Sequence, residues 1–192
     1  MFKPWIGSEY PSRSPKVLIL GESHYGNAHL EHGYALEDKT LLCIRDQIDD
    51  TWKHAYYTKV VSTVIGHRPT LEDKREFWNS VAYHNLITEP LERSRKAPSE
   101  EQWINSIKTL PQFMDDLKPD YCLCMGVRMW QRLSVAYDLT THSTQSEAGE
   151  CGVKSSNVFG CYFHGIKHPS SFGYSYGIWG NHVRSVINEL YG

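Results

Sequence analysis

The sequence predicts an α/β protein, a three-layer α/β/α sandwich around a central, mainly parallel sheet of four strands. Short runs of β-branched and leucine residues, each followed by glycine or polar residues, are typical of strands buried on both faces of a parallel sheet. Segments with helical spacing of apolar residues separate these runs, as in parallel βαβ units. The length of 192 residues fits one domain, so a single domain over residues 1–192 is expected.

The first half of the chain provides two of the strands. Lys16–Leu20 is a continuous apolar run after its lysine and ends at Gly21, which predicts a buried strand. Residues 41–64 carry apolar side chains at helical spacing with one break, so this stretch is expected to be mostly helical. Thr70–Asp73 resembles a capping box and predicts the start of a short helix. Ser80–Ile87 follows as the second strand.

The next segments predict a helix, a strand and a second helix. Ser99–Gln102 is another capping box, and the helix it opens is expected to continue through Pro111. Tyr121–Met125 is the third apolar run and ends at Gly126. A short helix is expected around Trp130.

The last part of the chain predicts a loop, a strand and a closing helix. Residues 139–158 are polar and small, which indicates a surface loop. Val158–Ile166 fits a fourth strand, which His168–Ser171 ends. The final helix is expected to begin near Trp179.

Composition excludes several classes of protein. Lys and Arg number 20 against 22 Asp and Glu, a net charge of −2, which excludes a protein that coats nucleic acid by bulk charge. The 5 cysteines are scattered without a Cys-x-x-Cys pair, so we expect reduced thiols and a cytoplasmic protein rather than a disulfide framework. The aliphatic run Val17–Leu20 is far shorter than the roughly 20 residues of a membrane helix, so no membrane partner is expected.

Polar and titratable residues follow each predicted strand. In open parallel sheets, sites form beyond the carboxyl ends of the strands, so these segments are expected to converge. The segments are Gly21–Gly26, His84–Asn85, Gly126–Arg128 and His168–Gly177.

These segments resemble the motifs of the uracil-DNA glycosylase superfamily. Gly21–Gly26 reads Gly-Glu-Ser-His-Tyr-Gly and matches the Gly-Gln-Asp-Pro-Tyr-His motif of the best-known branch at Gly and Tyr, while other branches begin the motif Gly-Glu. Asn85 fits the base-reading Asn at the end of the second strand, and His168–Ser170 matches the His-Pro-Ser start of the last motif. The resemblance extends from about residue 16 to the C-terminus.

The resemblance implies a DNA glycosylase, which flips a base out of DNA and hydrolyses its N-glycosidic bond. His168 is then the expected donor to the base oxygen that becomes negative. Glu22 is expected to orient the water or to stabilise the oxocarbenium ion by its charge, and His24 is a second candidate for the water. Ser23 stands where the best-known branch has its water-activating Asp, and a serine hydroxyl cannot act as that base.

The resemblance also implies residues that bind the base and the DNA. Asn85 carries a donor and an acceptor and can read a base edge, with Tyr25 and Ser23 in the wall of the base pocket. Ser170 and Ser171 can hold phosphates through hydroxyl and backbone N–H groups. The remaining candidates are Phe172, Tyr174 or Tyr176, as the wedge into the gap left by a flipped base, and the basic cluster Arg93, Arg95 and Lys96.

Several alternatives remain open at this stage. A non-catalytic DNA-binding module of the same fold would explain Ser23, and Gly21–His24 also resembles the Gly-Glu-x-His pattern of erythromycin-esterase-like hydrolases. A metal-dependent hydrolase would need His24, His29 and His32, whose spacing matches no common zinc motif.

The base that such an enzyme would excise is equally open. Uracil is the family default, and the divergent first motif leaves room for a modified pyrimidine such as the glucosylated hydroxymethylcytosine of phage DNA. The chain lacks the four characteristically spaced cysteines of the iron–sulfur branches. We therefore expect DNA as partner, a monomer, and no cofactor, metal or iron–sulfur cluster.

Overall fold

The computed structural model describes residues 2–26, 35–93, 96–139 and 154–192, with the backbone alone at 154–156, and these ranges form one sheet covered by helices. The strands are β1 (Trp5–Ile6), β2 (Val17–Gly21), β3 (Ala82–Asn85), β4 (Tyr121–Met125), β5 (Lys154–Val158) and β6 (Cys161–Ile166). The helices are α1 (Lys39–Asp49), α2 (Ala55–Ile65), α3 (Leu71–Ser80), α4 (Glu100–Leu117), α5 (Val127–Tyr137) and α6 (Tyr176–Tyr191).

The six strands lie in the order β1-β3-β2-β4-β6-β5. β3, β2, β4 and β6 pair in parallel, whereas β1 pairs antiparallel with β3, and β5 pairs antiparallel with β6. The α/β class is confirmed. The predicted number of four strands is wrong, because an antiparallel strand is added at each edge and makes the sheet mixed.

The edge strand β5 corrects the predicted loop over 139–158. Residues 154–158 form a hairpin with β6, while 140–153 lie outside the described residues. The two turn residues, Phe159 and Gly160, have φ of 57° and 68°, which suits the two-residue turns that match strand twist. The sequence of β5 is polar, and an edge strand needs only backbone hydrogen bonds from its neighbour, so no apolar pattern reveals it.

Alternate residues of β2 face two separate cores. Leu18 and Leu20 pack with Trp103 and Trp130 of α4 and α5. Ile19 points to the other face, where it packs with residues of α1, α2, α3 and α6. The sheet is therefore the middle of three layers.

Local signals set several helix starts. Both predicted capping boxes are confirmed: the Asp73 N–H donates to Thr70 Oγ1 at 3.2 Å, and the Gln102 N–H donates to Ser99 Oγ at 3.2 Å. α6 begins three residues before the predicted Trp179, because the Ser175 hydroxyl caps it. In the described parts of the chain, no helix combines the length and the apolarity needed to cross a membrane.

Candidate functional site

A cavity of about 230 Å³ opens at the carboxyl ends of the parallel strands, on the side of the sheet that α1 and α2 cover. The segment after β2, the end of β3 and the loop after β6 contribute to its wall, together with residues of α1 and of the stretch 52–57. Seven of the residues predicted from the sequence line it: Glu22, Ser23, His24, Tyr25, Asn85, His168 and Ser170.

The segments after β2 and β3 extend the parallel pairing of the two strands. The N–H groups of Leu86 and Ile87 donate to the carbonyls of Gly21 and Glu22, each at 2.9 Å. Farther on, the N–H of Leu91 donates to the carbonyl of His24 at 2.9 Å. These bonds fix the backbone that carries Glu22 and its neighbours beside the end of β3.

Glu22 is held by an arginine from another element. Glu22 is 8% exposed. Its carboxylate accepts hydrogen bonds from Arg128 Nε at 2.9 Å and from Arg128 Nη2, so the pair is bidentate. The hydrogen bond to Glu22 raises the pKa of Arg128. Arg128 lies in the first turn of α5, directly after β4. The sequence predicted that its segment lies near the site but indicated no role for Arg128. The bidentate pair fixes the position of the Glu22 carboxylate in the cavity wall.

His168 presents one ring nitrogen as a donor. Its Nδ1 accepts the N–H of Ser170 at 3.1 Å, so the proton of the neutral ring lies on Nε2. Burial lowers the pKa of His168; the Glu22 carboxylate raises it, and the cations of Arg128 and Lys59 lower it. The ring is therefore neutral at pH 7. Tyr56 stacks on it at a centroid distance of 5.2 Å.

Asn85 is buried at the end of β3, with its side-chain oxygen bound. The Tyr83 hydroxyl donates to Asn85 Oδ1 at 2.8 Å. Gly21 pairs with Asn85 across the two strands, and a Cβ at Gly21 would lie 2.2 Å from this oxygen. Any side chain at position 21 would displace the amide, which explains the glycine at the start of the first motif.

His24, predicted as a second candidate for the water, is packed into the wall of the cavity. Its Nε2 forms a hydrogen bond of 2.8 Å with Thr40 Oγ1, and Phe2 meets the ring edge-on at 4.9 Å. These contacts hold the ring of His24 in place in the wall of the cavity. Ser23 has a buried hydroxyl without a partner among the described residues, and Tyr25 is partly exposed.

The candidate DNA-binding residues in the loop after β6 differ in their exposure to solvent. Phe172 is 100% exposed, and Ser170 is exposed beside His168. Tyr174 instead packs against the core and bonds to Thr63 through its hydroxyl. Ser171 is half-buried, and its N–H donates to the His168 carbonyl at 2.9 Å.

Two residues of the predicted basic cluster, Arg93 and Lys96, lie in the described part of the chain, and one of them is paired with a carboxylate. Arg93 is exposed, and Lys96 forms an ion pair of 2.6 Å with Glu92 on the surface. Arg95 lies outside the described residues, as do His29 and His32 of the metal alternative. Within the described ranges, no three His, Cys, Asp or Glu side chains come together as metal ligands would.

Sequence reasoning missed the aromatic wall of the cavity. Trp52, Tyr56, Tyr57 and Tyr83 line it together with His54. A signal existed for Tyr83, because residues two apart on a strand share a face, so it had to lie beside Asn85.

No protein-family model matches the chain, and no curated protein is significantly similar to it.

Proposed function

We propose that the protein is a DNA glycosylase that hydrolyses the N-glycosidic bond of a flipped-out uracil or modified pyrimidine. The observation that supports this most is the neutral His168, with its proton on Nε2, in the same cavity as Asn85 and the carboxylate of Glu22. A donor, a base-reading amide and a fixed anion are the three groups that this reaction uses.

The proposed mechanism stabilises two opposite charges. As the glycosidic bond breaks, its electron pair leaves with the base, negative charge builds on a carbonyl oxygen of the base, and the His168 N–H donates to that oxygen. The sugar becomes an oxocarbenium cation, which the Glu22 carboxylate stabilises electrostatically. Water then adds to C1′ of this cation, and the proton that the water loses passes to the base anion. Because Arg128 binds both oxygens of Glu22, we assign this residue a role through its charge rather than as a general base.

The loop after β6 provides the proposed contact with DNA. Flipping a base costs a few kcal/mol of stacking, and an apolar side chain in the vacated gap offsets part of this. Phe172 is the fully exposed aromatic residue of the loop and is proposed as this wedge. Ser170, exposed next to His168, is proposed to hold a phosphate.

An abasic-site assay tests the proposal. DNA that contains uracil, hypoxanthine, a thymine mismatch or glucosylated hydroxymethylcytosine is incubated with the protein, and abasic sites are then cleaved with alkali. We expect strand breaks with at least one pyrimidine substrate. For Glu22→Gln we expect the cleavage rate to fall by at least about 10²-fold. Glu101→Gln, at an exposed acidic residue of α4, serves as the matched control and should cleave at the wild-type rate. Intact strands with every substrate contradict the proposal.

A further inference from the structure

The side chain of Asn85 can be oriented in two ways. The oxygen and nitrogen ends of a carboxamide have almost the same shape, and a half-turn exchanges an acceptor for a pair of donors. A pocket whose Asn rotates freely can therefore bind either of two complementary ring edges. A pocket that must discriminate between them needs a second group that holds the amide in one orientation.

Tyr83 is placed to hold it. Its hydroxyl lies 2.8 Å from Asn85 Oδ1 but 3.4 Å from the Tyr56 oxygen, which is long for an O–H···O hydrogen bond. The short contact is therefore the one that receives the phenolic proton. Burial raises the pKa of Tyr83 well above its ordinary value, so the proton stays on the hydroxyl at every physiological pH.

The backbone of β2 closes the other side of Asn85 Oδ1. Gly21 has no side chain, which leaves room for this oxygen and for the Tyr83 hydroxyl. A Cβ at position 21 would lie 2.2 Å from Asn85 Oδ1 and 2.4 Å from the Tyr83 hydroxyl oxygen. The oxygen end is thus enclosed by Tyr83 and Gly21. The Nδ2 atom has no hydrogen-bond partner among the described residues, and Asn85 lines the cavity. The amide therefore offers N–H donors to a ligand.

We propose that Tyr83 is a positioning residue that locks the Asn85 amide with its N–H groups toward the cavity and so determines which ring the cavity accepts. The inference rests on the proposed function only in naming that ring as a nucleobase. With His168 Nε2–H also a donor, the cavity offers donors at two places. It matches a ring with two carbonyl oxygens, such as uracil, and rejects a ring whose amino group would meet Asn85 donor to donor, such as cytosine.

Binding of the free bases tests this without any turnover. Wild-type protein is titrated with uracil and with cytosine, and binding is followed by NMR. The hydrogen bond at stake corresponds to a preference for uracil of about tenfold or more. In Tyr83→Phe the amide is released, and we expect the preference to fall to within about threefold of unity. The matched control is Tyr121→Phe on β4, which removes another buried hydroxyl, hydrogen-bonded to His164 of β6, and should keep the wild-type preference.

The outcomes separate this inference from the glycosylase proposal. A wild-type preference for uracil that Tyr83→Phe abolishes supports the role of Tyr83, even where the abasic-site assay detects no cleavage. An unchanged preference in Tyr83→Phe, or equal binding of the two bases by the wild type, overturns it.

A second variant can overturn the inference about Tyr83 even if Tyr83→Phe does not fold. Asn85→Asp keeps the shape of the side chain but replaces the N–H donors with an oxygen. We expect this variant to lose the preference for uracil, because its carboxylate faces the carbonyl that Nδ2 would have bound. A preference for uracil that survives in Asn85→Asp overturns the inference as well.

Discussion

At the scale of single residues, the protonation state of His168 determines how the cavity acts on a base. The ring lies between the stacked Tyr56 and the charges of Glu22 and Arg128, and its Nδ1 is occupied by the Ser170 N–H. A neutral ring with its proton on Nε2 can donate a hydrogen bond to the anion that develops on the base.

NMR of the histidine ring nitrogens tests this state. Because burial lowers the pKa of His168, we expect a neutral ring at pH 7, the Nε2–H tautomer, and a titration midpoint below the ordinary value of about 6.5. A cationic His168 at pH 7, or a proton on Nδ1, would contradict the assignment.

The ion pair of Glu22 and Arg128 should also stabilise the fold. In Arg128→Met, a buried carboxylate loses its partner, although Arg128 is 47% exposed and water can replace part of the interaction. We therefore expect a loss of about 1–2 kcal/mol in the free energy of unfolding, measured by urea denaturation. Arg132→Met breaks a similar pair with Glu100 on the open surface and should have no measurable effect. Equal stability of the two variants would show that Glu22 does not depend on its arginine.

The sequence was sufficient to place Glu22, Asn85 and His168 at one edge of the sheet, because the ends of parallel strands converge. It could not show that Arg128 binds Glu22, since 106 positions separate them and the contact depends on how α5 leaves β4. It also could not show that Thr40 binds His24 and holds its ring in the wall of the cavity.

At the scale of elements, the loop between β6 and α6 combines fixed ends with an exposed tip. Lys59 of α2 donates to the Pro169 carbonyl at 2.9 Å, and the Tyr174 hydroxyl bonds to Thr63 of the same helix. Between these anchors, Phe172 has no side-chain burial at all. An apolar ring held out on an anchored loop suits insertion into a base stack.

Removal of the Phe172 ring should therefore change function without changing stability. For Phe172→Ala we expect a free energy of unfolding within about 0.5 kcal/mol of the wild type, because no contact is lost. Cleavage of duplex DNA should fall by about tenfold, whereas single-stranded DNA, which needs little flipping, should lose less. Val135→Ala, at an exposed apolar residue of α5, is the control. Equal losses on both forms of DNA would refute the wedge.

Prediction of the elements from sequence succeeded where local signals are strong. The capping boxes at Thr70 and Ser99 mark the starts of their helices, and the four predicted strands correspond to the four inner strands of the sheet. Two short elements escaped: β1 has two residues, and β5 is polar. Both lie at edges of the sheet, where pairing depends on a neighbouring strand rather than on the residues of the strand itself.

At the scale of the whole molecule, two buried histidines make stability depend on pH. Burial lowers the pKa of His84 to about 4 and that of His164 to about 3. Below about pH 6.5 the unfolded chain binds protons at these positions, whereas the folded protein does not. Stability must therefore decrease as the pH falls, and each histidine contributes about 1.4 kcal/mol per pH unit while its folded form stays neutral.

Urea denaturation at pH 7.0, 6.0 and 5.0 measures this effect. We expect the free energy of unfolding to decrease between pH 6.5 and 5.0, and the decrease to be smaller in His84→Asn. Val135→Ala, at an exposed apolar position of α5, should follow the wild type. A free energy of unfolding that is constant or rises toward pH 5.0 would show that His84 and His164 are protonated in the folded protein.

His168 is proposed to help a base to leave its sugar. The direct measurement is the release of free base from duplex DNA under single-turnover conditions, with wild type and with His168→Ala, after both have been shown to unfold at the same temperature. We expect the wild type to release a pyrimidine base and leave an abasic site, and His168→Ala to do so at least about 10²-fold more slowly. Equal rates in the two proteins, or no base released by the wild type, would contradict the account.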